Sequence, residues 1–89
     1  MKETYLEVTF RHGRPLAAYY YLPRSIGDKS FRTQRAELGL VIDFNHAGKP
    51  IGIEITAPAK LSLVAFNRVL RSLGLPTARR VDLAPLKAA

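Results

Sequence analysis

With 89 residues, no cysteine and a formal charge of +7, the chain reads as one small domain without a disulfide staple, a thiolate metal site or a cysteine nucleophile. A domain of this size buries roughly 60 to 65% of its unfolded surface, enough for one thin core and too little to enclose a deep catalytic cavity easily. The opening MKETYLEVTF alternates, and no apolar stretch approaches the ~18 residues of a membrane span, so secretion and insertion are not expected and a cytoplasmic location is the default.

Leu6, Val8 and Phe10 alternate with Glu7 and Thr9, the period-two pattern of a half-buried strand. His12-Gly13 marks a turn, and Leu16 to Leu22 forms a second strand. The register between the two is open, because the loop can hold two residues or three. Three loop residues place Leu6, Val8 and Phe10 with Tyr20, Ala18 and Leu16. Two place Tyr19 and Ala17 there and set Pro15 against Phe10. The three-residue loop puts more apolar bulk opposite apolar bulk and is preferred; it leaves Tyr19 and Tyr21 on the second face.

Pro23 to Ser30 reads as a flexible loop. Phe31 to Ala36 is a third strand whose Arg32, Gln34 and Arg35 suit an edge.

Glu37 to Thr56, ELGLVIDFNHAGKPIGIEIT, is the strongest fold signal. Asn45 can accept a bond from the backbone two residues on, and Gly48 can take the left-handed conformation that closes a type I turn with a one-residue bulge, pairing Asn45 with Lys49. Counting outward, Val41 faces Ile53, Gly39 faces Ile55 and Asp43 faces Ile51. Leu40, Ile42 and Phe44 then share the other face with Glu54, Gly52 and Pro50. Such a pair, apolar on both sides, belongs in the middle of a sheet.

After Thr56 the period changes to a helix over 62–73. Ser62 is the N-cap, Gly74 the left-handed C-terminal residue, and Pro76 stops continuation. Leu63, Phe66, Val69, Leu70 and Leu73 form its apolar stripe, with Arg68, Arg71 and Ser72 opposite. The tail 75–89, with Val81, Leu83 and Leu86, either adds a docked helical turn or frays. The expectation is one α+β domain over 1–89, strand-rich over 4–56: an antiparallel β-meander of about five strands with one C-terminal helix packed on one face.

The hairpin residues Gly39-Leu-Val-Ile-Asp43-Phe-Asn45 and Gly48-Lys-Pro-Ile-Gly52-Ile-Glu54-Ile resemble the bacterial domain of unknown function 2283, whose hallmark is a "GVIVDYDEDGNIVGIEI"-like hairpin. Leu61-Ser-Leu-Val-Ala-Phe-Asn67-Arg-Val-Leu70 followed by Leu73-Gly-Leu is similar to the helix that trails that hairpin in longer members. The match covers roughly residues 37 to 75; upstream, Arg11-His-Gly-Arg-Pro15 replaces an acid-rich turn of many members. The resemblance implies a small antiparallel sheet with a helix and implies no reaction, cofactor or catalytic residue. Some members are similar to genes beside small toxin-like genes, an association that points to an antitoxin-like or other partner-binding role.

Asp43 and Glu54 are the acids inside the hairpin, but in the register above they point to opposite faces and cannot converge on one substrate. A structural reading puts Asp43 in reach of turn amides and Glu54 against a neighbouring Arg or Lys. His12 and His46 sit at turn tips without ligand spacing, and Gly48 closes a hairpin instead of cradling phosphate. No catalytic, cofactor or metal residue is assigned, and the chain is not expected to be an enzyme.

Tyr5, Tyr19 and Tyr21 share the face away from the helix, near Arg32 and Arg35, a composition that stacks bases in some single-strand binders and covers a face or a dimer contact in others. The leading expectation is a non-enzymatic binding or structural module, a homodimer through an uncovered sheet face bearing Leu40, Ile42, Phe44, Tyr19 and Tyr21, with a further protein partner unidentified. The alternative is a nucleic-acid-binding or antitoxin-like regulator. It rests on charge: residues 1–56 carry eight Lys/Arg against six acids, while the remainder carries six against Asp82 alone. Its contacts are Arg68, Arg71, Arg79 and Arg80.

Overall fold

The computed structural model describes residues 3–37 and 39–86. Leu38 of the hairpin run and residues 87–89 of the tail lie outside the described residues. The strands are β1 (Tyr5–Arg11), β2 (Arg14–Tyr21), β3 (Arg32–Arg35), β4 (Leu40–Phe44) and β5 (Pro50–Ile55), followed by the helix α1 (Leu63–Ser72) and two 3-10 segments, Pro58–Lys60 and Arg80–Leu86. The α+β fold, with five antiparallel strands and one helix, is as expected from the sequence.

The strand order is β1-β2-β5-β4-β3, which corrects the meander. A meander would place the polar β3 in the centre and β5 at an edge. All four β3 residues are exposed, whereas Ile51, Ile53 and Ile55 of β5 are at most 1% exposed, so β5 takes two neighbours and β3 takes the edge. The segment from Leu22 to Phe31 makes this possible by crossing three strand spacings, about 14 Å, around the tip of the β4–β5 hairpin. It is fastened there by Phe31 N–H to Phe44 C=O at 2.8 Å, by Asn45 Nδ2 to Asp28 Oδ1 at 3.3 Å, and by an edge-on contact between Phe31 and His46.

Both hairpin registers are set by bulges. In the first, Arg11 pairs with Arg14 across His12-Gly13, both at positive φ as a type I′ turn requires. Leu16 is then an extra residue, so Phe10 faces Pro15 near the turn while Val8 faces Ala18 and Leu6 faces Tyr20 further out. The two-residue loop and the apolar pairing preferred for the three-residue loop therefore coexist.

In the second hairpin the turn is as expected: Asn45 N–H bonds Lys49 C=O, Gly48 N–H bonds Asn45 C=O, and Gly48 has φ 84°. The Asn45 side chain accepts from Lys49 N–H instead of from the residue two positions on. Ile51 is then extra, since Phe44 faces Pro50 but Asp43 faces Gly52. Beyond it the expected pairs are all displaced by one: Ile42 meets Ile53, Leu40 meets Ile55, and Val41 meets Glu54.

This displacement decides the core. It gathers Leu40, Ile42, Phe44, Ile53 and Ile55 on one face, with Ala18, Tyr20 and Leu22 of the second strand and its extension, beneath Phe66, Val69 and Leu70 of α1. Without the bulge the apolar residues would divide between two faces, and one helix can cover only one. Burial of each such side chain contributes about 1.5–3 kcal/mol, enough to select the bulged register. Leu40, Ile42 and Phe44 are 2 to 7% exposed; they belong to the interior and offer no contact surface, contrary to the sequence expectation.

The helix ends follow their local signals. Ser62 Oγ accepts from Ala65 N–H at 3.1 Å. At the other end Leu75 N–H bonds Leu70 C=O and Gly74 N–H bonds Arg71 C=O, the Schellman pair, with Gly74 at φ 72°. The tail is docked as far as Leu86. Asn67 holds Ala78 by both backbone groups, at 2.7 and 3.0 Å, and Ala78, Leu83 and Leu86 join the core.

Candidate functional site: the open face of the sheet

Alternation along the strands places Tyr5 and Glu7 of β1, Tyr19 and Tyr21 of β2, Glu54 of β5, Asp43 and Val41 of β4, and Thr33 and Arg35 of β3 on the face opposite α1. The Ile51 bulge brings Asp43 and Glu54 onto this same face, correcting their expected separation. They do not form a catalytic pair in contact. Asp43 accepts from Tyr19 Oη at 2.6 Å and from Ser30 Oγ at 3.3 Å, so its partners are hydroxyls and not turn amides. Glu54 is exposed opposite Tyr19, with no hydrogen-bond partner among the described residues.

The three tyrosines form one cluster. Tyr5 stacks on Tyr21 with centroids 4.5 Å apart and planes 14° from parallel, and Tyr21 meets Tyr19 edge-on at 4.7 Å. Tyr21 Oη donates to Glu7 Oε1 at 3.3 Å. Contacts of this type contribute about 0.5–1.5 kcal/mol each beyond area burial. Gly52 makes the arrangement possible, because the Tyr19 ring lies across β5 where any Cβ at position 52 would stand.

Arg24 completes the patch. Its guanidinium donates to Tyr19 Oη at 3.2 Å and to Ile51 C=O, and it lies 5.2 Å from the Tyr21 ring centroid and 5.9 Å from that of Tyr19. The Ile51 carbonyl that anchors it also accepts from Leu22 N–H at 3.2 Å, where the chain leaves β2 beside β5. Arg24 was not among the sequence candidates, since it sits in the segment read as a flexible loop. Of the two arginines expected beside the tyrosines, Arg35 is on this face but Arg32 lies on the other, over the Phe44 ring at 4.1 Å.

Burial, then the hydrogen bond to Asp43, push the Tyr19 hydroxyl up to about 12, against the opposing pull of Arg24. Tyr21 is raised as well, first by desolvation and then by the Glu7 charge. Both therefore act as neutral donors at physiological pH.

The basic candidates divide. Arg68 is paired with Glu37 at 2.6 Å and Arg79 with Asp82 at 3.2 Å, whereas Arg71 and Arg80 make no ion pair among the described residues. The Asp82 carboxyl is held below its usual range, chiefly by the Arg79 N–H. His12 lies in the first turn and His46 against Phe31. Among the described residues no three His, Asp or Glu side chains gather as metal ligands, and no helix is long and apolar enough to cross a membrane. The open face holds a depression of about 170 Å³ beside Tyr19, Glu7 and Glu54, and a larger open groove of about 480 Å³ runs between Tyr20, Leu22, Leu75 and Arg79. Comparison with protein-family models, with curated proteins and with solved structures gave no match.

Proposed function

We propose that the chain is a non-enzymatic binding module that self-associates through the open face of its sheet. The observation that carries this reading is the tyrosine cluster Tyr5–Tyr21–Tyr19, fastened by Asp43 and Arg24 on the face that α1 leaves uncovered. Tyrosines are suited to protein contacts because each ring offers apolar area and a polar tip at little entropic cost. The face is of mixed sign, with Glu7, Asp43 and Glu54 beside Arg24 and Arg35, so a second copy can oppose acids to arginines. The resemblance to the domain of unknown function 2283 hairpin agrees with a small sheet that works by contact.

The same sign mixture disfavours a phosphate backbone on this face. A nucleic-acid contact through Arg68, Arg71, Arg79 and Arg80 has support from the basic C-terminal third, reduced by the two ion pairs that occupy Arg68 and Arg79.

Sedimentation equilibrium at micromolar concentration tests the reading. The expected result is a concentration-dependent dimer that Glu54→Arg weakens by about tenfold or more, since the new charge replaces an acid at the centre of the face without disturbing a hydrogen bond. A monomer throughout, or a dimer indifferent to Glu54→Arg and Tyr21→Ala, refutes it. Salt-sensitive binding of labelled DNA or RNA, lost in Arg71→Ala/Arg80→Ala, would replace it with the nucleic-acid reading.

A further inference from the structure

The two edges of the sheet are built differently. The β3 edge is short, four residues, and carries Arg32 and Arg35, the usual protection against strand addition. The β1 edge is a seven-residue strand without proline, and both bulges lie on other strands. Its outward groups can be identified. The two-residue turn makes Arg11 and Arg14 a hydrogen-bonded pair, so Tyr5, Glu7, Thr9 and Arg11 bond inward to β2. Leu6, Val8 and Phe10 then direct their N–H and C=O groups away from the sheet. Among the described residues, no backbone bond outside the β1–β2 ladder engages them.

We propose that β1 is a pairing edge whose partner is β1 of a second copy, antiparallel and centred on Val8. A two-fold axis normal to the sheet keeps each face on its own side, which restricts the register to pairings of like parity. Centring on Val8 pairs Leu6 with Phe10, Val8 with Val8, Glu7 with Thr9, and Tyr5 with Arg11. Every outward N–H of Leu6, Val8 and Phe10 then meets an outward C=O of the same three residues on the partner strand. The side chains agree: Phe10, 51% exposed in the single chain, gains an apolar neighbour, and Arg11 gains an aromatic one.

The neighbouring registers are worse. Centring on Glu7 opposes two carboxylates and sends Phe10 against Thr4, outside the strand. Centring on Thr9 sends Leu6 against His12, whose φ of 52° is that of the turn and not of a strand. Only the Val8 register uses the full length of β1.

This pairing is independent of contact through the open face. It extends the tyrosine face sideways and leaves it uncovered, so the two modes are separable by experiment. The absence of native cysteine gives a clean background for cross-linking. Glu7 and Thr9 form a non-hydrogen-bonded pair in the proposed register, with Cα atoms about 4.5 Å apart, within disulfide range.

The test mixes full-length Glu7→Cys and Thr9→Cys chains under mild oxidation. The expected result is a covalent dimer in the mixture that contains one chain of each kind, with little from either alone. A second variant, Val8→Pro, removes an outward N–H that the monomer does not use. It is expected to weaken association by about tenfold or more and to suppress the cross-link when built into both cysteine chains. Absence of the mixed disulfide, or Glu7→Cys chains that cross-link with themselves as readily as the mixture, overturns the proposal. A mixed disulfide unaffected by Val8→Pro in chains that retain the native circular dichroism spectrum overturns it too. Insensitivity to Glu54→Arg bears on the open face alone.

Discussion

Gly52→Ala tests the physical basis of the tyrosine patch most directly. A Cβ at position 52 occupies the space of the Tyr19 ring, and the ring is the movable partner, so it swings away. The swing breaks the 2.6 Å bond to Asp43 and the edge contact with Tyr21. A hydrogen bond to a carboxylate contributes about 1.5–3 kcal/mol and the aromatic contact about 0.5–1.5, with the lower ends appropriate to a half-exposed site. Alanine in a strand recovers about 0.5–1 kcal/mol of backbone entropy. The net loss is about 1–1.5 kcal/mol, or about 4–12 °C in Tm for a domain of this size. Urea unfolding measures the loss, and ultraviolet titration of the phenols measures its cause. Tyr19, raised to about 12 in the parent chain, returns toward its ordinary value of 10.0 in the variant.

The sign of the pH dependence follows. Because the folded-state pKa of Tyr19 lies above the unfolded one, its contribution is complete below pH 10 and is lost as the pH rises through about 12. Tyr19→Phe removes that alkaline slope. In a Tyr19→Ala background, Gly52→Ala should cost nothing and recover the backbone term. An equal cost in both backgrounds, or an unchanged phenol titration, would refute the reasoning.

Asn67→Ala deletes both side-chain bonds to Ala78 and is expected to cost about 1–3 kcal/mol, with earlier proteolysis between Pro76 and Leu83; a cleavage pattern identical to the parent's would count against docking by Asn67. His12→Asn places at φ 52° a residue that tolerates the left-handed region, and chemical denaturation should show a gain of about 0.5 kcal/mol. The Asp28 carboxyl is held below its ordinary value chiefly by the Ser25 N–H, with Asn45 assisting. Its contribution is therefore present above pH 3.8 and lost as the pH falls through the lower folded-state value. Acid unfolding of Asp28→Asn should accordingly show a weaker pH dependence over that range, and an unaltered acid profile would be the contrary result.

The elements readable from the sequence are those whose causes lie within a few residues of one another. Ser62, Gly74 and the stripe Phe66–Val69–Leu70 act within single turns of helix, and Asn45 with Gly48 closes its turn alone; each behaves as its chemistry dictates. The polar Arg32–Arg35 strand and the two-sided hairpin also pointed to an edge and a centre, and only their joint consequence, the order β1-β2-β5-β4-β3, rules out the meander.

The registers belong to the tertiary structure. An extra residue in a strand has no local signature, yet it turns every side chain beyond it to the opposite face. Ile51 is extra because one helix can cover one face, and burying Ile53 and Ile55 with Leu40 and Ile42 under Phe66 outweighs an unbroken ladder. That single choice converts Leu40, Ile42 and Phe44 from an expected surface into core. It also moves Asp43 and Glu54 to one face, where Asp43 meets the Tyr19 hydroxyl. The sequence determined the parts because local backbone chemistry fixes them. The faces, and with them the candidate site, were decided by how much apolar surface one helix can bury.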